Sequence, residues 1–257
     1  MATPHEHLTR QARAHIGADD VAGASALLQY REELAQNRRA RLIWRAVKAA
    51  VPALPLGILL DWRAGLVAAP AVAAGDWAHT YQRGSLSAWR KGAGGERRTG
   101  RILAPLAAEG YIVMHDRAIP GSRANIDHLV IGRSGVWVID SKAWHRRTRI
   151  SGRAGALWIG GRPATSTVRA LQYEHSAVTA ALTHISRPIH VHALVAVHGA
   201  KLPSWGGPLT AGGATLLRAR QIRRWIRNAP EVLDHGAAVE LAALLDRAFP
   251  RYTQAAG

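Results

Sequence analysis

The chain has 257 residues, of which 48% are hydrophobic and 20% charged, a composition typical of a globular rather than a disordered protein. A formal net charge of +17 favours a polyanionic partner, either nucleic acid or an anionic membrane surface. Cysteine is absent, which excludes disulfides, thiolate zinc sites, iron–sulfur clusters and cysteine nucleophiles, so any metal must be held by oxygen or imidazole ligands.

The N-terminal part of the chain is polar and basic. Residues 1–20 lack the basic start and apolar run of a secretory signal, so we expect a cytoplasmic rather than a secreted protein. Residues 8–47 are predicted to be helical, with leucines set among arginines. We assign 1–45 to a basic helical N-terminal region.

The most apolar stretch, 46–75, contains two hydrophobic halves separated by Asp61 and Arg63. Each half is shorter than the ~20 residues of a membrane-spanning helix, and its prolines are expected to kink it. Two structures fit this pattern: a membrane hairpin with the charged residues at its tip, and a buried pair of soluble helices. The basic residues at 38–48 would suit the inner face of a membrane. We assign 46–83 to this apolar helical pair and keep membrane association through 46–75 as an open alternative.

A different pattern begins after the Gly-rich stretch 84–95, which we interpret as a domain boundary. A helix is predicted over 96–109, with Glu96 at its start, where the helix dipole favours a carboxylate. Three short strands separated by glycine and proline turns are predicted next, over 111–115, 125–131 and 136–142.

The remaining elements complete an α/β pattern. A small hairpin is predicted around Trp158, followed by a helix over 167–185 and a strand over 190–198. The order α, β, β, β, α, β predicts an α/β fold with a mixed central sheet, which we assign to residues 84–200.

The C-terminal extension, 201–257, begins with a Gly/Pro-rich loop. Two helices are predicted in it, at about 218–228 and 236–248, and arginines crowd the first of them.

The segment NIDHLVIGRSGVWVIDSK carries most of the chemistry. If its two strands form a hairpin connected at 132–135, Asp127 lies opposite Asp140, and Lys142 shares a face with Asp140. Carboxylates opposed across a ladder have Cβ atoms ~4.5–5.5 Å apart and repel each other unless a cation such as Mg²⁺ or Mn²⁺ lies between them. A bulged turn at Gly135 would instead slip the pairing by one residue and separate the two aspartates.

Four segments in this order, GGERRTGRILAPL, HDRAIPG, NIDHLVIG and GVWVIDSKAW, resemble the nuclease-related domain. That family belongs to the PD-(D/E)xK superfamily of restriction-endonuclease-like nucleases. The resemblance covers roughly 92–200 and implies an αβββαβ core with a mixed central sheet. A lone Asp-x-Lys is a weak signal, whereas the ordered set of Gly-Glu, Ile-Asp-His and Ile-Asp-x-Lys is specific.

The resemblance implies metal-dependent hydrolysis of phosphodiester bonds in nucleic acid, with DNA as the expected substrate and Mg²⁺ or Mn²⁺ as the cofactor. Glu96, Asp127 and Asp140 match the metal-binding acids, Lys142 the lysine of the (D/E)-x-K pair, and Gln172 a glutamine on the helix after the core. Nearby arginines would bind backbone phosphates without reading sequence: Arg97, Arg98, Arg101, Arg146 and Arg147. The alternative is a non-catalytic nucleic-acid-binding or membrane-tethered adaptor that keeps the fold.

Overall fold

The computed structural model describes residues 22–23, scattered positions between 42 and 58, and residues 61–83, 85–186, 188–203 and 207–252. The chain divides into two compact units, one of residues 26–91 and one of residues 1–25 together with 92–257. The predicted helical region 1–45 lies almost wholly outside the described residues.

In the unit of residues 26–91, helix α1 spans Trp62–Arg83, with Pro70 inside it. Its apolar side chains are largely solvent-exposed at the start, where Trp62 and Leu66 each keep 65% of their surface accessible and Val67 keeps 70%. Among helices in the described part of the chain, none combines the length and apolarity that crossing a bilayer requires.

Six strands form the central sheet of the other unit, in the order β1-β2-β3-β7-β9-β8. The bounds of these six strands are β1 Ile112–Ala118, β2 Asn125–Gly132, β3 Gly135–Ala143, β7 Val191–His198, β8 Leu209–Ala211 and β9 Ala214–Arg218. Strands β3, β7 and β9 run parallel, while β1–β2, β2–β3 and β8–β9 pair antiparallel. The mixed sheet and the strands predicted over 111–142 and 190–198 are therefore confirmed.

The helix before the sheet is longer than expected. Helix α2 spans Ser85–Leu103 and continues into a 3-10 helix over Ala104–Glu109. The Gly-rich stretch 84–95, which we interpreted as a domain boundary, is helical from residue 85 onward. A Cβ atom on Gly95 would lie 3.2 Å from that of Ala143, so the missing side chain lets α2 pack closely against β3.

A second, small sheet contains β4 Ile150–Arg153, β5 Ala156–Ile159 and β6 Arg162–Pro163, and includes the hairpin predicted around Trp158. Three further helices follow: α3 Thr165–Ala181, α4 Ala219–Arg227 and α5 His235–Ala248. These confirm the predicted helices. Strands β8 and β9 were not predicted, since segments of three and five residues carry too little periodicity.

Helices cover both faces of the central sheet. Residues at alternate positions of β2 and β3 point to opposite faces. On one face, Leu129 and Val138 pack in a buried cluster with residues of α3 and α5. On the other, Val130 and Ile139 pack with residues of α2, the 3-10 helix and α4. The strand ends that carry Asp127 and Asp140 therefore lie inside a layered α/β structure.

Candidate active site

The β2–β3 hairpin pairs in the predicted register without the one-residue slip. Ile131 pairs with Val136 and Gly132 with Gly135, which leaves two residues for the turn. Gly135 has φ of 99°, a backbone conformation that glycine adopts without strain. The alternative pairing, slipped by one residue, is therefore wrong.

Continuing this register places Asp127 opposite Asp140, one step beyond the last pair, His128 and Ile139. The Oδ2 atom of Asp127 accepts a hydrogen bond of 2.7 Å from the backbone N–H of Ser141. Both aspartates are buried, and Asp140 keeps only 1% of its surface exposed. The two carboxylates predicted to face each other thus lie together at the open end of the hairpin.

Lys142 lies between this buried end and solvent. Its Nζ atom donates a hydrogen bond of 2.5 Å to Oδ1 of Asp140, and its side chain is 37% exposed. Burial alone would lower the pKa of Lys142, but the negative charges of Asp140 and Asp127 outweigh that effect and raise it. Lys142 therefore stays an ammonium ion at neutral pH, and part of its side chain is open to solvent.

Glu96 comes to the same region from α2. Glu96 lies well inside the helix, which begins at Ser85. The helix dipole, which was expected to favour a carboxylate at this position, therefore does not account for Glu96. Burial, then the charges of Asp116 and Asp140, raise the pKa of Glu96 to about 7, against the opposing effect of Lys142. Burial, followed by the charges of Glu96 and Asp140, raises the pKa of Asp127 as well. The charge of Asp140 therefore raises the pKa of both Glu96 and Asp127.

Two further buried acids were missed by sequence reasoning. Glu174 on α3 is 6% exposed and occupies the buried side of the helix with Leu171 and Val178. Burial and then the charge of Asp140 raise the pKa of Glu174 well above its usual range. An acidic residue at a core position of an amphipathic helix is a signal that the sequence does contain.

Asp116 is the second missed acid. It is 5% exposed and has φ of 54°, which is uncommon outside glycine. Its Oδ1 atom accepts a hydrogen bond of 3.0 Å from the Asn125 side chain. The β1–β2 register places Asp116 opposite Asp127, between the pairs on either side of it. Asp116, Asp127 and Asp140 therefore form a row across three neighbouring strands.

Within the described part of the chain, two oxygens of this group are buried without a hydrogen-bond partner: Oδ2 of Asp140 and Oε2 of Glu174. Buried carboxylate oxygens without a donor or a cation are costly, and native structures seldom retain them. As the side chains stand, no three acidic or imidazole groups of the described residues are placed to hold a metal ion.

Gln172 and the predicted phosphate-binding arginines lie at the surface. The Gln172 amide nitrogen lies 2.9 Å from where a Cβ atom on Gly213 would stand, beside the β8–β9 turn rather than among the buried acids. Its catalytic role stays a prediction. The exposed arginines are Arg97, Arg98, Arg101, Arg146 and Arg147.

A chain of neutral hydrogen bonds lies on the opposite face of the sheet. His128 contacts Nδ1 of His115 at 2.8 Å and the Ser141 hydroxyl at 3.0 Å. Ser141 donates to the Thr99 hydroxyl at 2.8 Å, and Thr99 lies 2.8 Å from Nε2 of His198. This network ties α2, which carries Glu96, to β3 directly beneath the acidic group, and gives His128 a structural role.

The family model of the nuclease-related domain matches residues 91–198. Comparison with curated proteins and with solved structures gave no match. The matched segment runs from α2 to the end of β7 and contains Glu96, Asp127, Asp140 and Lys142. Residues 91–198 are therefore similar to the nuclease-related domain, and the mixed six-stranded sheet is consistent with a restriction-endonuclease-like core.

Proposed function

We propose that this domain hydrolyses phosphodiester bonds of nucleic acid, with DNA as the expected substrate, in a reaction that depends on Mg²⁺ or Mn²⁺. The observation that supports it most is the burial of Asp127 and Asp140 together at the open end of one hairpin, beside the half-exposed Lys142. Titratable groups with perturbed pKa values gathered in this way are typical of functional sites.

The alternative is an adaptor that keeps the fold without turnover. Four buried acids argue against it: Glu96, Asp127, Asp140 and Glu174. The raised pKa values of Glu96, Asp127 and Glu174 show that the fold disfavours their charged forms, so these residues lower stability at neutral pH. A domain without catalytic use for them would gain stability by replacing them.

The residues present fit a divalent cation. The partnerless Oδ2 atom of Asp140 is a hard oxygen donor of the kind that Mg²⁺ and Mn²⁺ prefer. Asp127, Asp140 and Glu96 would hold the ion. When bound, such an ion supplies Lewis-acid stabilisation of the negative charge that develops on a phosphate.

The protein's own groups supply the remaining functions. The ammonium of Lys142 can leave Asp140 to donate a hydrogen bond to a phosphate oxygen or to orient the attacking water, since part of it is exposed. The Ser141 backbone N–H fixes the orientation of Asp127. The exposed Arg97, next to Glu96, would bind the nucleic-acid backbone by charge and without sequence preference.

The test is a cleavage assay with Mg²⁺, Mn²⁺ or EDTA on single- and double-stranded DNA and RNA. Lys142→Ala is expected to lower the cleavage rate about 10²–10³-fold while leaving DNA binding largely intact. Lys201→Ala, which removes an exposed lysine elsewhere, serves as the matched control. Metal-dependent cleavage by the Lys142 variant at the parent rate would contradict the proposal.

We also propose that α1 binds the inner face of an anionic membrane without spanning it. This rests on the exposed apolar residues Trp62, Leu66 and Val67 at its start, beside Arg63, whose guanidinium lies 5.6 Å from the Trp62 ring. Exposed apolar side chains beside a cation are groups that can enter the boundary between lipid headgroups and acyl chains.

Flotation of the full chain with vesicles separates this second proposal from the first. Binding is expected with vesicles that contain anionic lipid and to weaken strongly in a Leu66→Glu, Val67→Glu double variant. Val232→Glu alters an exposed apolar residue of the other unit and is the control. Equal flotation of the double variant and the parent would exclude α1 as the binding element.

A further inference from the structure

Helix α4 packs beside α2 on one face of the central sheet, outside the segment that the family model matches. Its buried Ile222 and Ile226 share a cluster with Leu103 of α2. At the end of α4, Nε of Arg227 forms an ion pair of 2.8 Å with Oε2 of Glu109, the last residue of the 3-10 helix that continues α2. The two helical segments therefore end side by side.

Helix α4 also begins close to the candidate active site. Thr99 of α2 lies 2.8 Å from Nε2 of His198, the last residue of β7. The preceding residue, Val197, pairs with Lys142 on one side and with Arg218, the N-cap residue of α4, on the other. These three residues form a row across neighbouring strands, which places the Cα atoms of Lys142 and Arg218 about 10 Å apart.

The solvent-facing sides of these two segments are basic. Helix α4 contains four arginines and no acid among its nine residues. In α2, the residues that follow the buried Glu96 include three exposed arginines and no acid. We call the exposed arginines of the two helices the α2–α4 basic face: Arg97, Arg98, Arg101, Arg220, Arg224 and Arg227.

An arginine-rich composition does not account for this distribution of charge. Helix α5, which packs on the opposite face of the sheet, has one arginine and two acids, Glu240 and Asp246, among its 14 residues. Arginines spread evenly over the surface would favour neither helix. Positive charge is concentrated instead on the face that starts beside Lys142, and such a concentration attracts a polyanion to that face.

We propose that the α2–α4 basic face binds the phosphate backbone of nucleic acid and holds it beside the candidate active site. This inference rests on the proposed function, which makes nucleic acid the substrate. Arg220 and Arg227 are separated by about 10 Å along the helix axis, a length that spans about three phosphates of one strand of a duplex. Guanidinium groups bind phosphate oxygens without reading sequence, so α4 extends a sequence-independent binding surface beyond the matched segment.

Binding of the full chain to a labelled DNA duplex, measured by fluorescence anisotropy across a salt series with EDTA present, tests this without relying on turnover. An Arg220→Ala, Arg224→Ala double variant is expected to bind at least about tenfold more weakly and to reduce the slope of log K against log salt by about two, because two phosphate contacts are lost. Alanine keeps the helix intact.

Two control variants separate position and charge from other effects. An Arg153→Ala, Arg247→Ala double variant removes the same charge from exposed positions on the small sheet and α5, and is expected to leave the slope unchanged. An Arg220→Lys, Arg224→Lys double variant keeps the charge of α4 and is expected to keep the slope of the parent.

The outcomes separate this inference from the function on which it rests. Equal slopes for the two alanine double variants overturn the role of α4 and leave the proposed hydrolysis standing. If only the α4 alanine variant loses slope and the parent cleaves nothing with Mg²⁺ or Mn²⁺, the binding face stands and the proposed hydrolysis fails. If the α4 alanine variant binds DNA as the parent does but no longer binds vesicles containing phosphatidylserine, the basic face binds a membrane and the inference is wrong.

Discussion

The two faces of β3 carry polar residues for opposite reasons. On one face Ser141 belongs to a chain of hydrogen-bonded groups that runs from His115 to His198. Successive groups in this chain lie 2.8–3.0 Å apart. On the other face Asp140 and Lys142 form an ion pair, and one Asp140 oxygen has no hydrogen-bond partner among the described residues. One residue along the strand separates a satisfied network from an unsatisfied one.

This difference distinguishes buried polar groups that stabilise the fold from buried polar groups that serve a function. A buried neutral network that meets its own hydrogen-bonding needs adds rigidity and fixes α2 against β3. A buried charged group that lacks partners lowers the stability of the protein, so its presence indicates a ligand that supplies what is missing. The neutral side thus positions the hairpin, and the acidic side is the one that we propose to bind the metal and substrate.

The largest expected effect comes from substituting, one at a time, the adjacent residues Asp140 and Ser141, whose side chains lie on opposite faces of β3. Asp140→Asn is expected to reduce metal-dependent cleavage about 10³-fold, on the order of 4 kcal/mol of transition-state stabilisation, and to stabilise the metal-free protein. Ser141→Ala keeps the backbone N–H that binds Asp127, so cleavage should fall less than about tenfold. It should instead cost about 1–3 kcal/mol of unfolding free energy, because His128 and Thr99 lose their shared partner.

Cleavage rates and urea-denaturation curves, measured on both variants, check these expected losses of activity and of stability. If Ser141→Ala lost cleavage as completely as Asp140→Asn while remaining folded, the neutral network would belong to the catalytic machinery. The division between the two faces would then be wrong.

The same contrast explains what the sequence could predict. The Asp127–Asp140 register followed from local information, namely alternating apolar residues on two strands joined by a short Gly-flanked turn. Glu174 was missed because it meets β3 only when α3 folds back over the sheet. Helix α2 was misjudged because glycines normally interrupt a helix, whereas Gly95 is needed for close packing against Ala143.

The second prediction concerns pH and Glu96. The pKa of Glu96 rises from 4.5 in the unfolded chain to about 7 in the fold. Below pH 4.5 the carboxyl is protonated in both states and has no effect on stability. Between pH 4.5 and 7 the unfolded chain ionises first, so the free energy of unfolding falls, and above pH 7 the loss stays constant.

Glu96→Gln removes this titration. With EDTA present, the variant is expected to be more stable than the parent by about 3 kcal/mol at pH 8 and by almost nothing at pH 4, at ~1.4 kcal/mol per pKa unit for the shift from 4.5 to about 7. Urea denaturation at the two pH values measures the difference, and Glu240→Gln on the exposed side of α5 is the control. A gain of the same size at both pH values would mean that packing, and not ionisation, accounts for it.

The third prediction is that a divalent cation reverses this instability. Mg²⁺ at about 100 times its dissociation constant should add about 2.7 kcal/mol of stability, which corresponds to a rise of about 5–10 °C in Tm for a domain of this size. The rise should be larger at pH 8 than at pH 6, because a protonated Glu96 must lose its proton to bind the ion. Differential scanning calorimetry of the parent and Asp140→Asn measures it, and an equal rise in both would place the ion elsewhere.

The smallest expected effect lies outside both faces of β3, at the exposed arginines. Arg97→Ala should weaken DNA binding only severalfold and reduce the slope of log K against log salt by about one, because one phosphate contact is lost. Arg247→Ala, in the last turn of α5, removes the same exposed charge from another element and should leave the slope unchanged. Fluorescence anisotropy across a salt series distinguishes these results. Equal slopes for the two variants would show that the net charge of +17, and not a specific phosphate contact of Arg97, attracts the nucleic acid.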